Sequence, residues 1–148
     1  MELLNKNVKD LMIFKSKINK KPLFLIQKFF KKKISKKRYD LTDKEKFLQV
    51  SFLNLKKNMQ PSPHIHLSHT KKTKLSSETW IVMSGKLKVT FYDIDKSKVY
   101  EDVLNKGDIS ILFSGGHSFK PLSKNTSIFE IKNGPYMGPI KEKENFKL

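Results

Sequence analysis

The chain has no cysteine, one tryptophan, six glycines and six prolines in 148 residues, and Arg38 is its sole arginine. Without cysteine there is no disulfide framework, no thiolate metal site and no cysteine nucleophile, so any transition metal would have to be held by histidine and carboxylate. No uncharged apolar run approaches the roughly 18 residues of a membrane helix. The opening MELLNKNVKDLMIFKSK mixes acids and lysines where a signal peptide would carry a clean apolar stretch. A soluble, cytoplasmic protein with no membrane span is therefore expected. The scarcity of arginine also weighs against base and phosphate recognition through bidentate guanidinium contacts.

What the chain does have is lysine: Lys and Arg total 31 against 14 Asp and Glu, a formal net charge of +17. The excess is uneven, because residues 1–60 hold seventeen basic and five acidic residues whereas residues 61–148 hold fourteen and nine. A Lys-, Asn- and Ile-rich composition often reflects genome base composition rather than a polyanionic partner. Hydrophobic residues make up 37% of the chain and eleven are Phe, enough for a folded core rather than disorder. The length suits one domain with an appended segment.

Residues 1–45 read as a basic N-terminal extension or arm. Short apolar clusters at Leu11–Phe14 and Leu23–Ile26 show no clear period, Pro22 interrupts any long helix, and a basic run spans Lys31–Arg38. From residue 46 to 138 the texture is of short β-type runs between turns: FLQVSFLNL, HIHLS, ETWIVM, KLKVTFYDI, KVYEDVL, DISILF, GGHSFK and TSIFEIK. In KLKVTFYDI, Leu87, Val89 and Phe91 alternate with Lys88, Thr90 and Tyr92, the period of a strand with one face buried. About eight closely spaced strands with no helical pattern between them predict an all-β domain, a small antiparallel barrel or jelly roll. Residues 139–148 read as a C-terminal tail or short terminal helix.

The chain's four histidines are His64, His66, His69 and His117. If HIHLS is a strand, the i, i+2 spacing puts His64 and His66 on one face. Glu78 at the head of the next strand and His117 after SGG would add a carboxylate and a third imidazole, a set suited to one divalent Fe, Mn, Ni or Zn. A His pair alone is better explained by ordinary hydrogen-bonded strand residues.

The arrangement His64-Ile65-His66, an eleven-residue gap, Glu78, TWIVMS and Gly85 resembles the first motif of the cupin superfamily. Gly107, DISIL, Phe113, Ser114, Gly115, Gly116 and His117 occupy the stretch of the second, with Phe113 in place of the usual Pro and His117 one residue early. The resemblance covers about residues 47–136. The GGH, the long gap and the ending FEIKNGPYMGPIKEKENF are similar to a group of small bacterial cupins found with genes for cell-surface sugars. It implies a cupin-type antiparallel β-barrel (double-stranded β-helix or jelly roll), a His64, His66, Glu78, His117 metal shell and a homodimer. It leaves the reaction open among metal-dependent oxygenase, isomerase and lyase chemistry on a small polar or sugar-related substrate.

Other residues carry paired readings. Glu130 could serve as a general base inside the barrel, or pair with Lys132 as a structural ion pair. Tyr136 could supply a phenol to a ligand, or pack over its turn. Trp80, Phe91 and Phe119 could wall a substrate pocket or fill the core. His69 reads as a loop histidine, and Gly115 and Gly116 as a tight bend carrying His117 toward a metal. Two other functions compete with a metal-dependent enzyme. One is a non-catalytic cupin binding a small ligand or a protein. The other is a binder of anionic surfaces or nucleic acid through the basic N-terminal region, although nucleic acid is not the expected partner because no nucleic-acid module accompanies the lysines.

Overall fold

The computed structural model describes residues 11–29 and 38–147. In chain order the elements are β1 (Leu11–Lys15), β2 (Pro22–Gln27), β3 (Arg38–Asp40), β4 (Ser51–Leu53), β5 (Glu78–Ser84), β6 (Lys86–Tyr92), β7 (Lys98–Asn105), β8 (Ile109–Leu112), β9 (Gly116–Pro121), β10 (Ser127–Lys132) and the one-turn helix α1 (Pro139–Glu142). The chain divides into two compact units, Met1–Phe29 with Leu75–Leu148, and Phe30–Lys74.

The first unit is all-β. A five-stranded sheet in the order β1-β2-β8-β5-β10 and a three-stranded sheet in the order β7-β6-β9 are both antiparallel throughout, and neither closes on itself. The chain changes sheet at Gly85, after β7, after β8 and after β9, so strands distant in sequence become neighbours. Alternation decides what points inward. Leu87, Val89 and Phe91 of β6 are buried, as the sequence pattern requires, and they meet Trp80 and Val82 of β5, Phe24 and Ile26 of β2, and Leu112 of β8. Phe24 and Phe91 join the two sheets most directly, stacked with ring centroids 3.9 Å apart and planes 10° from parallel.

The expectation of a loose extension or arm over residues 1–45 is corrected for residues 11–27. They form a hairpin, β1-β2, in which Leu23, Phe24, Leu25 and Ile26 are fully buried and β2 pairs with β8 in the interior of the large sheet. Pro22 is the first residue of its strand, where a missing N–H is tolerated. The carboxylate of Asp93 ties this hairpin to the β6-β7 turn, accepting from Ser16 Oγ (2.6 Å) and the Lys17 backbone N–H (2.7 Å). It also accepts from the Ile94 N–H, while the Asp93 N–H donates to the Ser97 carbonyl and closes the turn expected there.

The second unit holds the two-stranded β3-β4 ribbon, where Arg38 pairs with Asp40 at 2.6 Å and donates to Ser51 Oγ. The rest of the basic run, Lys31–Lys37, lies outside the described residues. The strand expected at HIHLS is absent: residues 54–77 carry none. Pro61 and Pro63 remove two backbone donors just ahead of the histidines, so a ladder cannot start there in the usual way. The tail forms α1 and then an extended segment whose Phe146 packs edge-on against Tyr92. Among the described residues no helix is long and apolar enough to cross a membrane.

Candidate functional site

One end of the first unit gathers most of the residues singled out above. Glu78 opens β5, and the antiparallel register sets Lys132 of β10 opposite it and Glu130 opposite Trp80. Two residues apart on one strand, Glu78 and Trp80 share a face, and so do Glu130 and Lys132. His117 arrives from the other sheet, on β9, placed opposite the buried Phe91.

The contacts form a closed polar cluster on an apolar floor. Glu78 is buried, and its Oε1 accepts from the Trp80 indole N–H at 2.6 Å. Its Oε2 lies 3.3 Å from Lys132 Nζ and 3.7 Å from His117 Nε2. Lys132 Nζ also meets Glu130 Oε1 at 2.7 Å, and Trp80 Nε1 reaches Glu130 Oε2 at 3.3 Å. The Trp80 ring meets His117 and Phe119 edge to face, with centroids 5.0 and 5.1 Å away. His117 Nδ1, the ring nitrogen away from Glu78, is buried with no hydrogen-bond partner.

These surroundings shift the titrations apart. Burial and the neighbouring Glu130 carboxylate push the Glu78 carboxyl upward, and Lys132 only partly offsets them. Desolvation would raise Glu130 as well, but its contacts with Lys132 and Glu78 hold it below the ordinary range. Desolvation pulls on Lys132 too, and the two carboxylates outweigh it, keeping the ammonium charged. His117 is pushed down to about 4, first by burial and then by the ammonium groups of Lys143 and Lys132. At neutral pH it is an uncharged imidazole, the form that ligates metals or accepts a proton.

The structure thus brings together Glu78, Trp80, His117, Phe119 and Glu130; of the two readings of Glu130 it shows the ion pair with Lys132, on an exposed side chain at the edge of the cluster. Phe91 is fully buried and stacks on Phe24 in the core, and Trp80 is almost fully buried above it, while Phe119 is half exposed. Tyr136 is exposed in the segment after β10. His64 and His66 are exposed in the second unit, with ring centroids 5.4 Å apart, and His64 Nδ1 lies 3.1 Å from the Ser62 carbonyl oxygen. His69 is exposed and makes the same kind of local contact, with the Leu67 carbonyl. Among the described residues no group of three or more His, Asp or Glu side chains is placed to hold a metal ion.

Lys132 is the member of this cluster that sequence reasoning undervalued. It was legible only as the neighbour of Glu130; its place beside Glu78 depends on the β5-β10 register. A concavity of about 230 Å³ adjoins His117 and is walled by Tyr92, Ser118 and the tail residues Glu144, Asn145 and Phe146. Close neighbours explain the pair of glycines before His117: a Cβ on Gly116 would press on the Phe146 ring, and one on Gly115 would fall onto the Tyr92 carbonyl oxygen. Gly115 also has φ +83°, a conformation that costs an L-residue about 1–2 kcal/mol. Gly115→Ala is therefore expected to lower stability by about 2 kcal/mol or more, read by urea unfolding. A change below 0.5 kcal/mol, about the scatter of a neutral surface substitution, would contradict this packing. No family model matches this chain, and no curated protein or solved structure is found to be similar to it.

Proposed function

We propose that the Glu78–His117 end of the sandwich is part of a divalent-metal centre of the cupin kind, acting on a small polar or sugar-related substrate. The observation that carries this is the meeting of two residues from separate motifs. Glu78, from the large sheet, and His117, from the small one, point into the same end of the interior with Nε2 and Oε2 3.7 Å apart. Two antiparallel sheets between which the chain repeatedly crosses suit the jelly-roll architecture of that superfamily. The donor chemistry fits such an ion: a neutral imidazole whose Nε2 faces the Glu78 carboxylate, and a buried carboxylate that gains from a nearby cation. The other two ligands in this reading are His64 and His66, on the strength of the sequence motif. A bound metal would supply Lewis-acid or oxygen-binding chemistry, with Glu130 and Lys132 positioned to move or hold a proton beside it. A homodimer belongs to the same reading, and the exposed Phe129 and Ile131 on the outside of the large sheet support it.

A second reading rests on Lys132. Its ammonium already stands between the two carboxylates, 3.3 Å from Glu78 and 2.7 Å from Glu130, the place where a cation is wanted. The pocket would then bind a small polar ligand without a metal, as a non-catalytic module. Thermal unfolding of chelator-treated protein with Mn(II), Fe(II), Ni(II) or Zn(II) separates the two. The metal-centre reading expects stabilisation by about 2.7 kcal/mol at a metal concentration a hundredfold above Kd, abolished in His117→Ala. No stabilisation by any of the four ions would remove it in favour of the second reading.

A further inference from the structure

We propose that the outer face of the three-stranded sheet is a separate binding site for a small organic anion bearing phosphate. The face carries a half-open hollow of about 590 Å³, a volume within the range of small-molecule sites. Alternation along β6 and β9 turns Lys88, Thr90, Ser118 and Lys120 outward, and the register sets Thr90 opposite Ser118 and Lys88 opposite Lys120. Lys98 of β7, Lys96 of the β6-β7 turn and Lys147 of the tail complete the lining, with Glu101 as its one carboxylate.

The local charges leave this groove in surplus. Glu101 is already committed to two of the lysines, at 2.7 Å from Lys88 and 2.9 Å from Lys98, and these bonds hold its carboxyl down to about 2. Lys96 is bound to Glu144 at 2.6 Å. Lys120 and Lys147 line the same hollow with no carboxylate partner among the described residues. Ammonium groups converging on a concavity repel one another unless an anion joins them, and lysine meets phosphate well as a point charge. The Ser118 hydroxyl on the floor is a neutral donor for phosphate oxygens, the Thr90 hydroxyl already donates to Glu101 at 3.3 Å, and Phe119, packed edge-on against Trp80 on one side, is half exposed at the rim, where an organic group could rest. A hollow of this volume suits a small molecule better than a nucleic-acid strand.

This site shares Phe119 but no charged residue with the Glu78–His117 cluster, so its lysines can be tested separately. The test is calorimetric titration of the full chain with phenyl phosphate and with pyrophosphate at physiological ionic strength. Saturable 1:1 binding is expected for both probes. The double variant Lys120→Ala, Lys147→Ala, at exposed positions that leave the core untouched, should weaken both by about tenfold or more, one charge-assisted contact or better. Glu101→Gln, which releases Lys88 and Lys98, should tighten both. The control Lys71→Ala, Lys72→Ala, which removes two exposed lysines elsewhere, should change affinity less than twofold. Equal weakening in the two double variants would mean only bulk attraction to a +17 chain and would overturn the proposal, as would the absence of saturable binding. Duplex DNA bound in preference to either probe, and lost in the Lys120/Lys147 variant, would also overturn it.

Discussion

Phe91→Ala is expected to lower the unfolding free energy by about 3–5 kcal/mol, the largest loss from any single substitution considered for this protein. Phe91 has no exposed surface, stacks on Phe24 at 3.9 Å and lies 6.5 Å from the Trp80 ring, so it spans the gap between the two sheets. Removing the ring deletes its transfer free energy and leaves a hole bounded by other large side chains that cannot all collapse inward. Phe91→Leu should cost distinctly less, because most of the volume is kept. Urea unfolding checks both: the midpoint should fall strongly for alanine, with little change in slope. A loss below about 1 kcal/mol for alanine would mean that the sheets are not joined through this residue.

The second large effect is on pH. In metal-free protein, folded His117 stays neutral down to about pH 4, whereas in the unfolded chain the same imidazole takes up a proton near its ordinary value of 6.5. Within that window the unfolded state binds the extra proton, so stability rises with pH. The contribution is complete above about pH 6.5 and is lost as pH falls through 4, reaching about 3 kcal/mol. Glu78 works in the opposite sense at the acid end, since its raised carboxyl takes up a proton in the folded state first. Unfolding free energies measured between pH 7.5 and 4 should therefore fall by up to that amount. His117→Gln should flatten most of the slope. An unchanged slope in that variant would show that His117 is not the buried, neutral imidazole described above.

The strands with a single buried face were readable from the amino-acid order. Leu87, Val89 and Phe91 alternate against polar partners, Gly85 and the Asp93–Ser97 stretch mark the turns, and β5 through β10 follow in the expected sequence. The hairpin of β1 and β2 was not readable in this way. LFLI in β2 is buried on both faces, so it shows a continuous apolar run with no period, and the lysines around it and Pro22 at its start suggested a loose segment instead.

The site was legible in its residue types and less so in its arrangement. Glu78 and His117 could be paired because motif order implies it, and their contact follows from β5 and β9 lying in facing sheets. The bond from Trp80 to Glu78 and the bridge through Lys132 arise from cross-strand register, which no local pattern encodes. HIHLS has the spacing of a strand face but sits behind Pro61 and Pro63 in an exposed segment, so spacing there did not translate into a ladder.

The central proposal, that Glu78 and His117 take part in a divalent-metal centre, is tested most directly by elemental analysis. The protein is purified without a chelating tag, beside His117→Ala and the double variant His64→Ala, His66→Ala. The account predicts stoichiometric Fe, Mn, Ni or Zn in the unaltered chain and its loss in both variants while each stays folded. A chain that remains metal-free even after reconstitution, or variants that keep the full metal content, would contradict it.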